Sequence, residues 1–390
     1  MTRFRKILFW THLITGCLAG VVILIMSITG VLLTYERQMI SWSDREFRVV
    51  PPGKAAQPLP AGALVTTLKA AGHPQPEGFI WQSDPADPVA LSYGRETLYA
   101  NPYTGAILDK PTTGMREAMS SLRAWHRWLA ATSDNRPIGK AITGASNVVF
   151  LFLVVSGLYL WMPRRWSWRH LQPILLFRGG IRGKARDFNW HNVAGFWMAI
   201  PLFFVVLSAM VISYPWFSQF VIELADGKQP VSQRAATPPS AIPQWSDADL
   251  AGLDRAFRTA FAQPDWKTLS LRLPPKPGAT LEATLSRGYS GQPQLRETLT
   301  ISTADGVPAQ APIVKREDFS SQSLGRRVRT WMRFVHTGEY YGLFGQTIAG
   351  IASAAGMLLV YSGFALAIRR FLAWRNRQRG AQAGGTAKAA

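Results

Sequence analysis

The sequence predicts an integral membrane α-helical protein: four transmembrane helices in two duplicated halves, with two α+β domains outside the bilayer. Three observations predict this class. Four stretches of the 390-residue chain lack Asp, Glu, Lys and Arg for long enough to cross a hydrocarbon core of about 30 Å. The basic residues that give the chain its net charge of +20 cluster beside those stretches. The stretches also superimpose on one another in pairs, without gaps.

The four stretches are Ile7–Tyr35, Ala141–Pro163, Phe188–Ile222 and Tyr340–Ile368. Pro201 is expected to kink the third, and Ser213-Tyr-Pro-Trp216 to end it near Pro215. The expected organisation is a first span at 1–35, an exported domain at 36–138 and a second span at 139–163. A basic loop at 164–187 follows, then a third span at 188–215, a second exported domain at 216–338, a fourth span at 339–371 and a tail at 372–390.

In a soluble chain a charge of +20 would suggest nucleic acid. Here the apolar blocks redirect that reading to a lipid bilayer, with no nucleic-acid partner. Arg3, Arg5 and Lys6 precede the first span. Arg164, Arg165, Arg169, Arg178, Arg182, Lys184 and Arg186 lie between the second and third, and Arg369, Arg370, Arg375, Arg377 and Arg379 follow the fourth. The positive-inside rule puts all three groups, and both termini, in the cytoplasm. Met1–Lys6 resembles a signal-peptide n-region, but the apolar run behind it is too long for an h-region and lacks an A-x-A site, so it is read as an uncleaved span. The single cysteine, Cys17, excludes an intrachain disulfide, a Cys-ligated iron–sulfur cluster and c-type haem attachment.

Each exported segment reads as a helix followed by a small antiparallel sheet. In the first, Leu59–Ala71 has helical spacing and Gly78–Gln82, Val89–Tyr93 and Thr97–Ala100 are strands; a turn at Asn101-Pro-Tyr-Thr-Gly105 precedes Ala106-Ile-Leu108. In the second, Ser246–Phe261 opens with a helix N-terminus, and Lys267–Leu273, Thr280–Leu285 and Glu297–Ser302 are strands before a turn at Thr303-Ala-Asp-Gly306.

The duplication is visible residue by residue. Placing His12 on His191 puts Gly16 on Gly195, Gly30 on Ala209 and Tyr35 on Tyr214. Placing Gly139 on Gly345 puts Gly144 on Gly350, Ser156 on Ser362 and Gly157 on Gly363. Upstream, Arg123-Ala-Trp-His126 falls on Arg333-Phe-Val-His336 once four extra residues are allowed in the first copy. Two halves of equal orientation are related by an axis along the membrane normal, an arrangement that transporters also use.

Four of the six histidines are therefore paired: His12 with His191 at the cytoplasmic end of the spans, and His126 with His336 at the exported side. His73 and His170 have no counterparts and are expected to be solvated. A histidine at a membrane interface can simply bond a backbone carbonyl, but ionisable groups in spans are costly and functional by default, and imidazole suits iron. A structural zinc would want four close ligands. The residue set fits haem better. Gly16 and Gly195 lie four residues beyond His12 and His191 on the same helix face, where a flat macrocycle could rest. Phe9, Trp10, Phe188 and Trp190 could wall that site, and Arg5 and Arg186 could meet its propionates. Arg123 and Arg333, with Arg127 and Arg329 nearby, offer the same at the exported side. The alternatives are surface charge for these arginines and helix packing for Gly16-x-x-x-Gly20 and Gly195-x-x-x-Ala199.

The chain resembles the PepSY-associated transmembrane family, and within it the FoxB-type ferrisiderophore reductases of bacterial inner membranes. The resemblance rests on Trp10-Thr-His-Leu-Ile-Thr-Gly16, Tyr99-Ala-Asn-Pro-Tyr-Thr-Gly105, Leu122-Arg-Ala-Trp-His126, Ser156-Gly-Leu-Tyr-Leu-Trp161 with Pro163-Arg-Arg165, and Trp190-His-Asn192. It covers nearly the whole chain. It implies periplasmic PepSY-like domains, two b-type haems with bis-His ligation by His12, His191, His126 and His336, and a role in iron uptake. The second exported domain departs from the pattern, since its turn, Ser302-Thr-Ala-Asp-Gly306, lacks the aromatic.

The expected function is a haem-dependent ferric-siderophore reductase that carries electrons across the membrane to siderophore iron in the periplasm. Arg326, Arg327 and Arg329 could line the substrate's approach or be solvated surface. No nucleotide fingerprint follows a strand, so the electron donor is external, a quinol or a cytoplasmic flavin reductase. The alternatives are a siderophore or iron permease with receptor domains, which the span stretches, lacking any carboxylate, do not favour, and a haem subunit of another membrane oxidoreductase.

Overall fold

The structure is a computed structural model that describes residues 2–53, 56–94, 96–109, 114–163, 165–227, 245–274, 278–289, 291–303 and 313–386. Along the chain, α1 (Arg3–Leu33) and α2 (Glu36–Ser43) precede α3 (Ala61–Ala70) and the strands β1 (Gly78–Gln82), β2 (Val89–Tyr93), β3 (Glu96–Ala100) and β4 (Ile107–Leu108). Then come α4 (Gly114–Trp128), α5 (Arg136–Trp161), α6 (Trp168–Leu175), α7 (Gly183–Trp197), α8 (Ala199–Ser213), α9 (Pro215–Asp226) and α10 (Asp247–Phe261). Strands β5 (Thr268–Arg272), β6 (Thr280–Ser286), β7 (Arg296–Ser302) and β8 (Ile313–Asp318) lead into α11 (Leu324–His336) and α12 (Gly342–Thr386). The chain divides into a helical unit (Met1–Glu36, Arg116–Phe220, Met332–Ala390) and a sheet unit (Arg37–Met115, Val221–Trp331).

In the helical unit, α1, α5 and α12 are each long and apolar enough to cross a membrane, and α7 with α8 makes a fourth candidate if the bent pair is one span. At 31 residues, α1 is about 46 Å long against a core of about 30 Å, so it can cross with tilt. The third stretch is two helices because of Pro201. Lacking an N–H, it cannot bond the carbonyl four residues back, at Trp197, and its ring clashes there. The chain accordingly breaks at Met198 and bends by 67°. After Ser213, Tyr214 is extended and Pro215 opens α9 at a position where no N–H is needed.

The helices form a ring: α1 packs on α5 and α12, and α7–α8 pack on the same two. Apolar burial gives little drive between helices in lipid, so close approach decides the packing. Ala19, Gly20, Gly144, Ser146, Ala209, Ala349 and Ala352 supply it. A Cβ on Gly20 would come within 2.7 Å of the Phe364 ring, and one on Gly144 within 2.7 Å of the Tyr214 hydroxyl.

The two segments of the sheet unit, read from sequence as two domains each with its own sheet, share one eight-stranded antiparallel sheet in the order β4-β3-β2-β1-β5-β6-β7-β8. Its centre is the β1–β5 ladder, with Ile80 opposite Ser270. Both strands are bounded by open edges within their own segments, so pairing them removes two aggregation-prone edges at once. Alternate residues make one apolar face: Phe79, Trp81, Leu91, Leu269, Leu271 and Leu299 are buried there with Leu64 and Leu68 of α3 and Leu253 and Phe257 of α10. Truncating one such leucine, Leu271→Ala, costs about 2–5 kcal/mol. The expected start of α10 is a capping box, with Ser246 and Asp249 each bonding the other's backbone N–H. The turn expected at 303–306 lies, beyond Thr303, outside the described residues.

Candidate functional site

His126 sits in the last turn of α4 and His336 is the last residue of α11, each just before the chain turns into a long span. The turn after α4 needs left-handed backbone at Leu129 and Ala130, φ 54° and 55°. Such conformations are strained for side chains larger than glycine, and the strain is held by a bond from Ala130 N–H back to the Ala124 carbonyl. After α11 the same reversal uses Gly338, φ 74°. Gly139 packs against the Trp128 carbonyl and Gly345 against that of Gly338, with no room for a Cβ in either case.

These turns bring the two imidazoles together. Their ring centres lie 6.2 Å apart, with planes inclined at 56°. A metal held about 2 Å from each of two imidazole nitrogens, each ring centre about 1.2 Å behind its nitrogen, separates such centres by about 6 Å. His12 on α1 and His191 on α7 lie on diagonal helices of the ring. All four imidazoles are half-buried.

Each ring is oriented through Nδ1. His12 meets Ser156 Oγ at 2.8 Å and His191 meets Ser362 Oγ at 3.0 Å. His126 meets Thr29 Oγ1 at 2.9 Å, and His336 donates to the Val205 carbonyl at 2.8 Å. Ser362 donates its own proton to the Leu358 carbonyl at 2.7 Å and Thr29 to that of Ile25 at 2.7 Å, so both hydroxyls accept from histidine. Ser156 does the same more weakly, to Leu153 at 3.4 Å. The common consequence is an Nδ1–H tautomer that leaves the Nε2 lone pair available, the arrangement metal-bound histidines use. Among the described residues, no group of three or more His, Cys, Asp or Glu side chains could hold a bare metal ion.

The model for the PepSY-associated TM region matches residues 9–370. The chain belongs to that PepSY-associated transmembrane family. No curated protein matches it.

The surroundings of the histidines matter as much as the rings. Glycines do lie against them, at positions other than those expected. Cβ atoms on Gly157, Gly363 and Gly30 would stand 3.3, 3.6 and 3.5 Å from Cε1 of His12, His191 and His126. Cβ atoms on Gly16 and Gly195 would make ordinary contacts with Leu153 and Leu359, at 3.6 and 3.5 Å.

Three of the four candidate propionate arginines have polar protein partners. Arg5 donates to the Leu160 and Met162 carbonyls at 2.6 and 2.9 Å, capping α5. Arg186 pairs with Asp187, donates to Tyr361 Oη at 3.1 Å and stacks on Trp190. Arg123 is paired with Glu36, whereas Arg333 is exposed beside the Phe334 ring. Of the other two histidines, His170 is exposed and bonded to Ser167 Oγ at 2.7 Å, and His73 is half-buried in the sheet unit.

Sequence reasoning missed the hydroxyl partners and one acid. Ser156 and Ser362 were visible as a matched pair of polar residues inside apolar spans, and Thr29 carried no such signal. Asp187 is fully buried between Arg186 at 2.8 Å and Arg369 at 3.1 Å, tying α7 to α12. It lies one residue before the stretch taken as the third span, which is why the helices of the bundle hold a buried carboxylate that the span composition did not show.

Proposed function

We propose that this family member is a di-haem transmembrane electron-transfer protein that reduces ferric siderophore and so releases its iron. The 6.2 Å spacing of His126 and His336, with Nδ1 of each committed elsewhere, carries the reading. It suits two axial imidazoles better than a bare ion, which would want further ligands. His12 and His191, held by matched serines, form the second pair. The repeated contacts support two duplicated halves, and on this reading the sheet unit corresponds to the PepSY-like regions. The clustering of Lys and Arg supports a bacterial inner-membrane location with cytoplasmic termini and a periplasmic sheet unit.

Bound haem, which His126 with His336 and His12 with His191 would hold, would supply a one-electron carrier at each end of the bundle. The chain's own contribution is geometric and electrostatic. Thr29, Ser156, Ser362 and the Val205 carbonyl fix the tautomer and rotation of each ring. Gly30, Gly157 and Gly363 keep the space beside the rings clear. Arg333 is exposed and suited to a carboxylate at the His126–His336 end. Electrons enter from an external donor, a quinol or a flavin reductase. Reduction of ferric to ferrous iron weakens its hold on hard oxygen ligands, and the metal leaves.

The test is a spectrum and a haem count on the purified full chain, followed by mixing the reduced protein with a ferric hydroxamate siderophore and a ferrous chelator. Two haems per chain, sharp α and β bands on dithionite, and reoxidation matched by chelated ferrous iron are expected. A colourless protein overturns the reading in favour of a permease. A haem protein that is not reoxidised is instead a subunit serving another oxidoreductase.

A further inference from the structure

The loop between α5 and α7 carries a feature that no part of the electron-transfer reading uses. Between Asp134 and Asp187 the chain has no acidic residue. Within 165–184, Arg165, Arg169, Arg182 and Lys184 are exposed, and among the described residues none has an ion-pair or hydrogen-bond partner through its side chain. Arg178 is also exposed, and its guanidinium donates to Gln172 Oε1 at 3.2 Å. Interleaved with these cations are large exposed aromatics: Trp166 at 70 %, Trp168 at 63 % and Phe177 at 59 %.

Such a segment would ordinarily be a loose, solvated loop. This one is fastened to the bundle. The buried Asn189 side chain donates to the Pro173 and Leu176 carbonyls at 2.7 and 2.9 Å and accepts from Arg178 N–H at 3.1 Å. The Trp161 and Trp197 indoles donate to the Ile174 and Leu175 carbonyls. Ile174 is buried against the bundle, so α6 lies with one apolar residue inward and its aromatics outward. The loop therefore presents a fixed array of cations and indole rings at the ends of two candidate membrane helices.

We propose that this face, residues 165–184, binds the headgroups of anionic phospholipids in the adjoining leaflet. Unpaired guanidiniums supply the charge complement to lipid phosphates. Exposed Trp and Phe beside span ends favour the lipid interface over a water-facing protein contact, because an indole there keeps its ring in the acyl boundary and its N–H in the headgroups. The pinned backbone means that little order is lost on binding, which favours a preformed site over diffuse attraction.

The full chain, purified in neutral detergent with equal amounts of phosphatidylglycerol and phosphatidylcholine, tests this by native mass spectrometry. The wild type is expected to retain phosphatidylglycerol preferentially. The variant R165Q/R169Q/R182Q is expected to lose that preference, by about fivefold in affinity for each charge removed. The variant R287Q/R296Q, altered in the sheet unit, is expected to keep it. Should the triple variant fold poorly, its place is taken by raising salt on the wild type, which should release phosphatidylglycerol and leave phosphatidylcholine unaffected. Equal retention of the two lipids by the wild type, or an undiminished preference in the triple variant or in high salt, overturns the proposal and leaves an acidic soluble protein as the occupant of the patch.

Discussion

The Nδ1–H of His191 on α7 points to Ser362 Oγ on α12 at 3.0 Å, and the serine passes its own proton to the carbonyl one turn back. A bond of this type fixes which nitrogen of the ring is free. Replacing Ser362 by valine removes the acceptor, while threonine, of nearly the same volume as valine, keeps it. Loss of a partner to a ligating histidine typically costs 10–100-fold in metal affinity. Ser362→Val should therefore lower haem content to between one and two per chain and shift one midpoint in a redox titration, whereas Ser362→Thr should restore both. An unchanged titration in Ser362→Val would mean that the hydroxyl only packs.

The ligand pairs themselves separate by a count. His126→Ala and His336→Ala should each remove the same one of two haem equivalents, and the double variant should remove no more than either alone. Retention of both haems in either single variant would refute the pairing that the 6.2 Å spacing suggests. The glycines add a finer test. Gly157→Leu should disturb the His12 ring, since its Cβ would already stand 3.3 Å away. A Cβ on Gly16 would meet Leu153 at an ordinary contact distance, 3.6 Å. If Gly16→Leu alone retains haem, the closeness of Gly157 to the ring decides, and Gly16 is a packing residue.

Much of this was legible in the sequence, for physical reasons that also mark where legibility stops. Runs without charge report spans because the cost of burying a charge in lipid is large and local. Alternation reports strands, so β1 and β2 match their expected limits, Gly78–Gln82 and Val89–Tyr93, residue for residue. Strand β8, Ile-Val-Lys-Arg-Glu-Asp, is an edge of mostly charged residues and shows no such alternation. Pairing between distant segments is not a local property, so the joining of β1 to β5 into one sheet left no trace in either segment. The break at Met198 lies three residues before the proline that causes it, at the end of the carbonyl that loses its donor. Thr29 is an ordinary polar residue in an apolar span until α4 folds back against it.

The sheet unit makes a prediction about how its two segments hold together. Asp254 on α10 accepts from the N–H groups of Gly62 and Ala63, at 2.6 and 3.3 Å, and so caps α3 from another segment. Caps of this kind contribute about 1 kcal/mol, up to about 2. Asp254→Ala should lower the unfolding midpoint of the sheet unit accordingly. A Cβ on Gly62 would press on the Leu250 carbonyl and stand 2.7 Å from the Asp254 carboxylate, so Gly62→Ala should push the two helices apart and cost more than the lost cap. The midpoints of the two variants, followed by circular dichroism of the full chain, check the order. Equal, negligible effects would show that the α3–α10 contact is incidental.

Acid should loosen the start of α11 before it unfolds the sheet. The Asp226 carboxylate accepts from Ser323 Oγ at 2.6 Å and from Gly325 N–H at 2.8 Å, and these bonds, the hydroxyl's first, hold its pKa below the ordinary carboxylate value. For a group whose folded pKa is depressed, the stabilisation is fully present above the unfolded value, about 3.9 for aspartate. It is lost as pH falls through the lower, folded value. Gly325 packs closely against α9, where a Cβ would meet the Ile222 backbone at 2.8 Å. Hydrogen exchange at residues 323–327 should therefore be unchanged between pH 7 and about 5 once the intrinsic rate is removed, and should quicken below about 4. Asp226→Asn should exchange fast at every pH. If the wild type shows no acid-dependent opening at that segment, Asp226 does not fasten the N-terminus of α11, and the ordering of the helix that carries His336 must be sought in its own contacts with the bundle.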